Sequence, residues 1–100
     1  MLANAIILEA IALKKCLSAT YNRMHIILAP HVLYKKNDSH YIDAITLERD
    51  GQEPRELKLG AFNLDGLKDV SLTDRTFEPS SLYVPYEERY RDATLFSIES

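Results

Sequence analysis

A mainly β fold led by one helix is what this chain of 100 residues predicts, on three observations. Apolar residues recur at helical spacing only near the start, around Ile7, Ala10 and Ile11. Beyond them, apolar and polar residues alternate with the period of a strand, first over 16–21 and again over 40–47. Polar turn signals divide these runs: Asn22-Arg23, Lys35 to Ser39, and Asp50-Gly51. Short strands between regular turns favour a small barrel or a sandwich over a layered α/β fold, and a barrel also removes strand edges that a short chain has little to cover with.

The elements follow in order. Asn4 can cap a helix over residues 5–14, with Lys14 and Lys15 complementing the negative end of its dipole. The face carrying Ile6, Ile7, Ala10 and Ile11 is apolar enough to need a cover, either the barrel or a second subunit. Residues 16–21 form a strand ending at Tyr21, and Met24 begins its return over 24–28. Pro30, without an N–H, is expected to stop regular pairing, leaving Leu33-Tyr34 as a short extended piece. Residues 40–47 form a strand with Ile42 and Ala44 towards the core and Tyr41 towards the rim. After Asp50-Gly51 the chain is expected to return as a strand over 55–59, break at Gly60 and extend again over 64–72. Asp65, beside Leu64, is expected to be a structural carboxylate accepting backbone amides or pairing with a cation. These predict one barrel domain over 1–78 and a tail over 79–100, with a short charged helix at 86–92 and an extended segment at 94–98.

Composition narrows the function. The formal net charge is −3, so any nucleic-acid site has to be a local basic patch on an acidic body. The lone Cys16 excludes an internal disulfide and fits a reducing compartment. The longest apolar run is interrupted by Glu9 and is too short to span a bilayer, and Met1 to Asn4 carries no charge of the kind that opens a signal peptide. The expected location is the cytoplasm, with no membrane partner.

No catalytic constellation stands out. His25, His31 and His40 lack metal-ligand spacing, and Gly51, Gly60 and Gly66 lie too far apart to cradle a phosphate. Cys16 and His25 form a conceivable nucleophile–base pair without a third group to orient the base. A non-enzyme without metal or cofactor is expected. A binding surface has more support. Lys14, Lys15, Arg23, Lys35, Lys36, Arg55 and Lys58 precede the more acidic later part, and Tyr21, Tyr34, His40 and Tyr41 interleave with them. Rings that stack on bases beside cations that hold phosphates are what a single-stranded nucleic acid requires. The same tyrosines can equally be half-buried strand residues, and the lysine pair a solvated turn.

Three pieces, in order, resemble the WYL domain of bacterial transcription regulators. After a helix and a strand ending at Tyr21 comes the step from Pro30 to Leu33. Then follow His40-Tyr41-Ile42 at the triplet position, and finally Phe62-Asn63-Leu64-Asp65-Gly66-Leu67. The likeness spans roughly residues 6–77. It implies a small Sm-like β-barrel with an attached helix. It also implies a regulatory module that binds single-stranded nucleic acid or a nucleotide-like ligand and modulates transcription. The sequence departs from the family pattern in carrying no helix-turn-helix, so it stands alone, serves a DNA-binding regulator, or is one domain of a longer protein. His40 replaces the leading Trp, and Gly66 stands where a basic residue is expected. The candidate ligand residues are Tyr21, Arg23, His40, Tyr41 and Arg55, with Lys35 assisting. The rival expectation is a protein-interaction or oligomerisation module, such as a homodimer, that has lost its ligand.

Overall fold

The structure, a computed structural model, describes residues 3–99. Helix α1 spans Ala3–Leu13 and leads into strands β1 (Lys15–Tyr21), β2 (Met24–Lys36), β3 (Ser39–Arg49) and β4 (Leu59–Asn63). A 3-10 turn over Leu64–Gly66 connects β4 to β5 (Lys68–Thr76), and a second, over Glu88–Tyr90, precedes β6 (Thr94–Ser97). The protein is therefore mainly β with one N-terminal helix. Its antiparallel sheet runs β4-β3-β2-β1-β5, so the first strand sits between the second and the fifth. Strand β6 pairs with β2 beyond the point where β1 leaves it: β1 covers β2 up to Leu28, and β6 takes over at Val32.

Tight turns set the register. Asn22 and Arg23 (φ 49° and 65°) and Asn37 and Asp38 (φ 50° and 65°) both hold the left-handed conformation of a two-residue type I′ turn. Lys14, at φ 56°, ends α1 in the same left-handed region; it terminates the helix rather than capping its dipole, and Lys15 already belongs to β1. Asn4 lies inside α1, not before it, so the expected cap is displaced.

Other expectations change as well. Strand β2 continues through Pro30 to Lys36. The missing donor is tolerated because the ladders are irregular there: β1 has ended, β6 has not begun, and the register against β3 shifts between Pro30 and Val32. Residues 55–58 form no strand, and Gly60 lies within β4 instead of breaking it. The stretch expected to extend over 64–72 is divided by the Leu64–Gly66 turn, whose Asn63 side chain accepts the Asp65 amide. Asp65 is exposed there, and it is its backbone carbonyl that accepts, from Lys68 Nζ.

The core lies between α1 and the sheet. Ile7, Ala10 and Ile11 of the helix are fully buried against Leu17, Leu28, Ile42 and Ala44, so the sheet itself covers the apolar helix face. Each of the two helix isoleucines contributes about 2 kcal/mol by leaving water. Tyr41 is half-buried, as its rim position required. Asp43 and Ile45, on the opposite side of β3, are buried as well, and over Asp43 the cover is the segment 79–99, which folds back to bond it.

Candidate ligand groove and the two ends of the strand pair

A groove of about 490 Å³ opens where β3 ends, lined by Thr46 and Arg49, by Pro54, Arg55, Glu56 and Lys58 of the connection, and by Gly60 and Phe62 of β4. Its geometry follows from the turn beside it. Asp50 and Gly51 take positive φ (50° and 82°), and Arg49 and Gln52 exchange backbone hydrogen bonds of 2.8 and 3.0 Å. Asp50 also ties this turn to β2: its N–H donates to the His25 carbonyl (2.7 Å) and its Oδ1 accepts the His25 N–H (2.9 Å). Beyond that clamp, 53–58 runs without a ladder and carries Arg55 and Lys58 to the rim.

The charge is uneven. Arg49, Arg55 and Lys58 face one carboxylate, Glu56, and none of the three cations forms a salt bridge among the described residues. Unpaired cations around a concave surface attract anions and lose little when they bind one, because no existing ion pair has to break. Phe62 supplies the aromatic wall, and the Tyr21 ring meets it edge-on (centroids 5.2 Å apart, 79° between planes). Gly66 makes room for that ring. A Cβ at this position would lie 3.1 Å from Tyr21 Cε1.

The predicted ligand residues divide into two groups. Tyr21 backs the groove through Phe62, Arg55 lines it, and Arg23 stands in the β1–β2 turn, next to the strand end clamped by Asp50. Lys35, His40 and Tyr41 flank the β2–β3 turn, where Lys35 pairs in register with His40 and Tyr34 with Tyr41. Strand β2, thirteen residues long, runs from the turn that holds Arg23 to the turn that the second group flanks. Of the groove's cations and rings, Arg49, Lys58 and Phe62 are absent from the candidate ligand residues. Lys58 already stands in the basic set that the sequence shows and Phe62 in the family resemblance, whereas Arg49 carries no signal of its own.

The second group adjoins a buried polar cluster. The Tyr34 hydroxyl donates to Asp43 Oδ1 at 2.7 Å, the Tyr90 hydroxyl donates to Oδ2, and Arg89 Nη2 lies 3.0 Å from Oδ2. Arg89 also sits over the Tyr90 ring, 4.7 Å from its centroid. Burial, and then the bond to the Asp43 carboxylate, push both phenols well above the ordinary tyrosine range. They stay neutral donors, which is how a fully buried carboxylate is satisfied. No buried side-chain nitrogen or oxygen lacks a partner among the described residues, so the cluster reads as an anchor.

The remaining chemistry-bearing side chains are apart. Cys16 is buried, and burial pushes its thiol up, away from the nucleophilic thiolate. His25 pairs with Thr20, four positions along β1 from Cys16, so the two form no pair. No group of three or more His, Cys, Asp or Glu side chains is placed to hold a metal among the described residues, and no described helix is long and apolar enough to cross a membrane. No protein-family profile, curated protein or solved structure matches the chain.

Proposed function

We propose that the chain is a regulatory ligand-binding module of WYL type, and that the groove at the end of β3 takes single-stranded nucleic acid or a nucleotide-like ligand. The observation that carries this reading is the convergence of Arg49, Arg55 and Lys58, none of them ion-paired among the described residues, beside the Phe62 ring. Cations hold phosphates there while an aromatic wall stacks a base. The strand order supports the Sm-like part of the reading, since a helix followed by strands that bring β5 back to β1 is how such a sheet curls towards a barrel. Coupling to transcription then requires a DNA-binding regulator, as a partner or as a further domain.

Fluorescence anisotropy with short labelled oligonucleotides at low salt tests it. Binding is expected to weaken with salt by about 0.7 log units per log unit for each phosphate neutralised. Arg55→Ala and Arg49→Ala should each weaken it roughly five- to tenfold. Absence of binding, or binding indifferent to both substitutions, removes the proposal. The rival reading, an oligomerisation module, draws on Leu8 and Leu13 of α1 and on Leu95 and Phe96 of β6, all exposed. Light scattering across a concentration series separates the two, because a monomer throughout excludes the second.

A further inference from the structure

We propose that residues 79–84 form a flap that protonation of His31 releases from the second side of β2. His31 is the extra residue where β2 bulges between Pro30 and Val32, and it is fully buried. Both ring nitrogens are committed. Nδ1 lies 2.9 Å from the Ala29 carbonyl, which only accepts, so Nδ1 carries the hydrogen. Nε2 therefore bears the lone pair, and it accepts the Ser80 N–H at 3.0 Å. An imidazolium has no lone pair at Nε2 and sets one N–H against another. The bond that holds the start of the flap exists only with the neutral ring.

Nothing nearby compensates a charged ring. Phe77 and Tyr83 pack on it, with centroids 5.2 and 5.7 Å away, and Tyr83 is kept neutral by burial. From β2 the ring meets the Ala29 carbonyl; Glu78, beside Pro79, is exposed; and Asp43 of β3 is taken by Tyr34, Tyr90 and Arg89. Among the described residues no carboxylate lies within salt-bridge distance of His31. Burial accordingly lowers its basicity.

The flap holds its own shape. Ser80 organises it internally, accepting Leu82 N–H at Oγ (3.1 Å) and Tyr83 N–H at its carbonyl (3.1 Å), so losing the His31 bond moves the turn as a unit. Downstream, Tyr90 and Arg89 on Asp43 and the pairing of β6 with β2 do not depend on His31 protonation. Acid therefore frees 79–84 from His31 while 89–99 stays docked; Tyr83, whose hydroxyl also bonds Ser97 of β6, leaves that contact as the turn moves, which uncovers His31 and the Tyr90 face that Tyr83 covers (centroids 5.5 Å apart).

A proton and amide NMR titration from about pH 7.5 to about pH 5 reads this directly. The Ser80, Leu82 and Tyr83 amides are expected to shift with the His31 ring at one midpoint below the ordinary 6.5, and to lose exchange protection, while the amides of β3 and β4 keep their exchange protection. His31→Phe should leave the flap open at every pH. Ser80→Pro, which deletes the N–H without touching the core, should do the same and keeps the test available if the first variant does not fold; Ser80→Ala, which removes only the hydroxyl that accepts from Leu82, should keep the pH transition. The proposal is overturned if His31 titrates while the Ser80 and Tyr83 amides stay in place. It is equally overturned if the whole sheet unfolds before the flap moves, or if Ser80→Pro retains the transition.

Discussion

On one side of β2 and β3, Leu28, Leu33, Ile42 and Ala44 meet Ile7, Ala10 and Ile11 of the helix; on the other, Val32, Tyr34 and Asp43 meet Tyr83, Arg89 and Tyr90. The first contact is apolar throughout and scales with area, so any side chain of similar volume maintains much of it. The second is built from directional bonds, each of which needs its own partner and becomes a penalty when that partner is lost. A fold closed in both ways has one side that tolerates drift and one side that fixes where the final twenty or so residues lie.

The strongest way to break this contrast is to damage the apolar side. Leu28→Ala should cost about 3–4 kcal/mol, through lost burial and the cavity left behind, and should lower the urea midpoint of the whole molecule. Asp43→Ala should cost less, about 2 kcal/mol. It strands two phenol hydroxyls, but Arg89 is partly exposed and recovers water. The pattern distinguishes them more than the size. Native-state hydrogen exchange should accelerate everywhere in Leu28→Ala, and first in 79–99 in Asp43→Ala. Uniform acceleration in both would erase the difference between the two sides.

Acid sharpens the same comparison. The His31 ring is less basic folded than unfolded, so the unfolded chain binds more protons below the ordinary imidazole value of 6.5. Its contribution to stability is complete above 6.5 and declines as the pH falls from there towards the lower folded value. One proton limits the slope to about 1.4 kcal/mol per pH unit. Urea midpoints at a series of pH values should show this decline in the native protein and lack it in His31→Phe.

How much of this the sequence announced depends on which side an element faces. The apolar side was readable: period-two alternation placed Ile42 and Ala44 inward, and helical spacing placed Ile7, Ala10 and Ile11. The other side was not, because alternation carries no sign of a second cover. Asp43 and His31 look like outward-facing residues until the chain returns from fifty residues away to bond them. Pro30 misled for a related reason: its missing donor falls where the neighbours of β2 change, which only the topology reveals. In the groove, Arg55 was legible as a cation beside a turn. Arg49 was not, since its place on the rim depends on how the 53–58 connection folds across β3.

Gly66→Ala tests a smaller effect. The added methyl meets Tyr21 Cε1 at 3.1 Å, so the ring must give by a few tenths of an ångström. The cost should stay near 1 kcal/mol or below, because Tyr21 is only half-buried and its edge contact with Phe62 can adjust. A loss of several kcal/mol would mean that Tyr21 is fixed as tightly as the buried core.

The smallest stability effects belong to the groove, and they matter for that reason. Arg49, Arg55 and Lys58 are all exposed and have no ion-pair partners to lose among the described residues. Each replacement by Ala should leave the urea midpoint within about 0.5 kcal/mol of the native protein. Removing like charge from a concave rim even relieves repulsion. A fold that gains nothing from three converging cations leaves ligand attraction as their remaining use. Measuring stability and oligonucleotide affinity on the same three variants therefore decides the matter. Affinity that falls while stability holds assigns the cations to the ligand, whereas stability that falls with it would make them part of the scaffold.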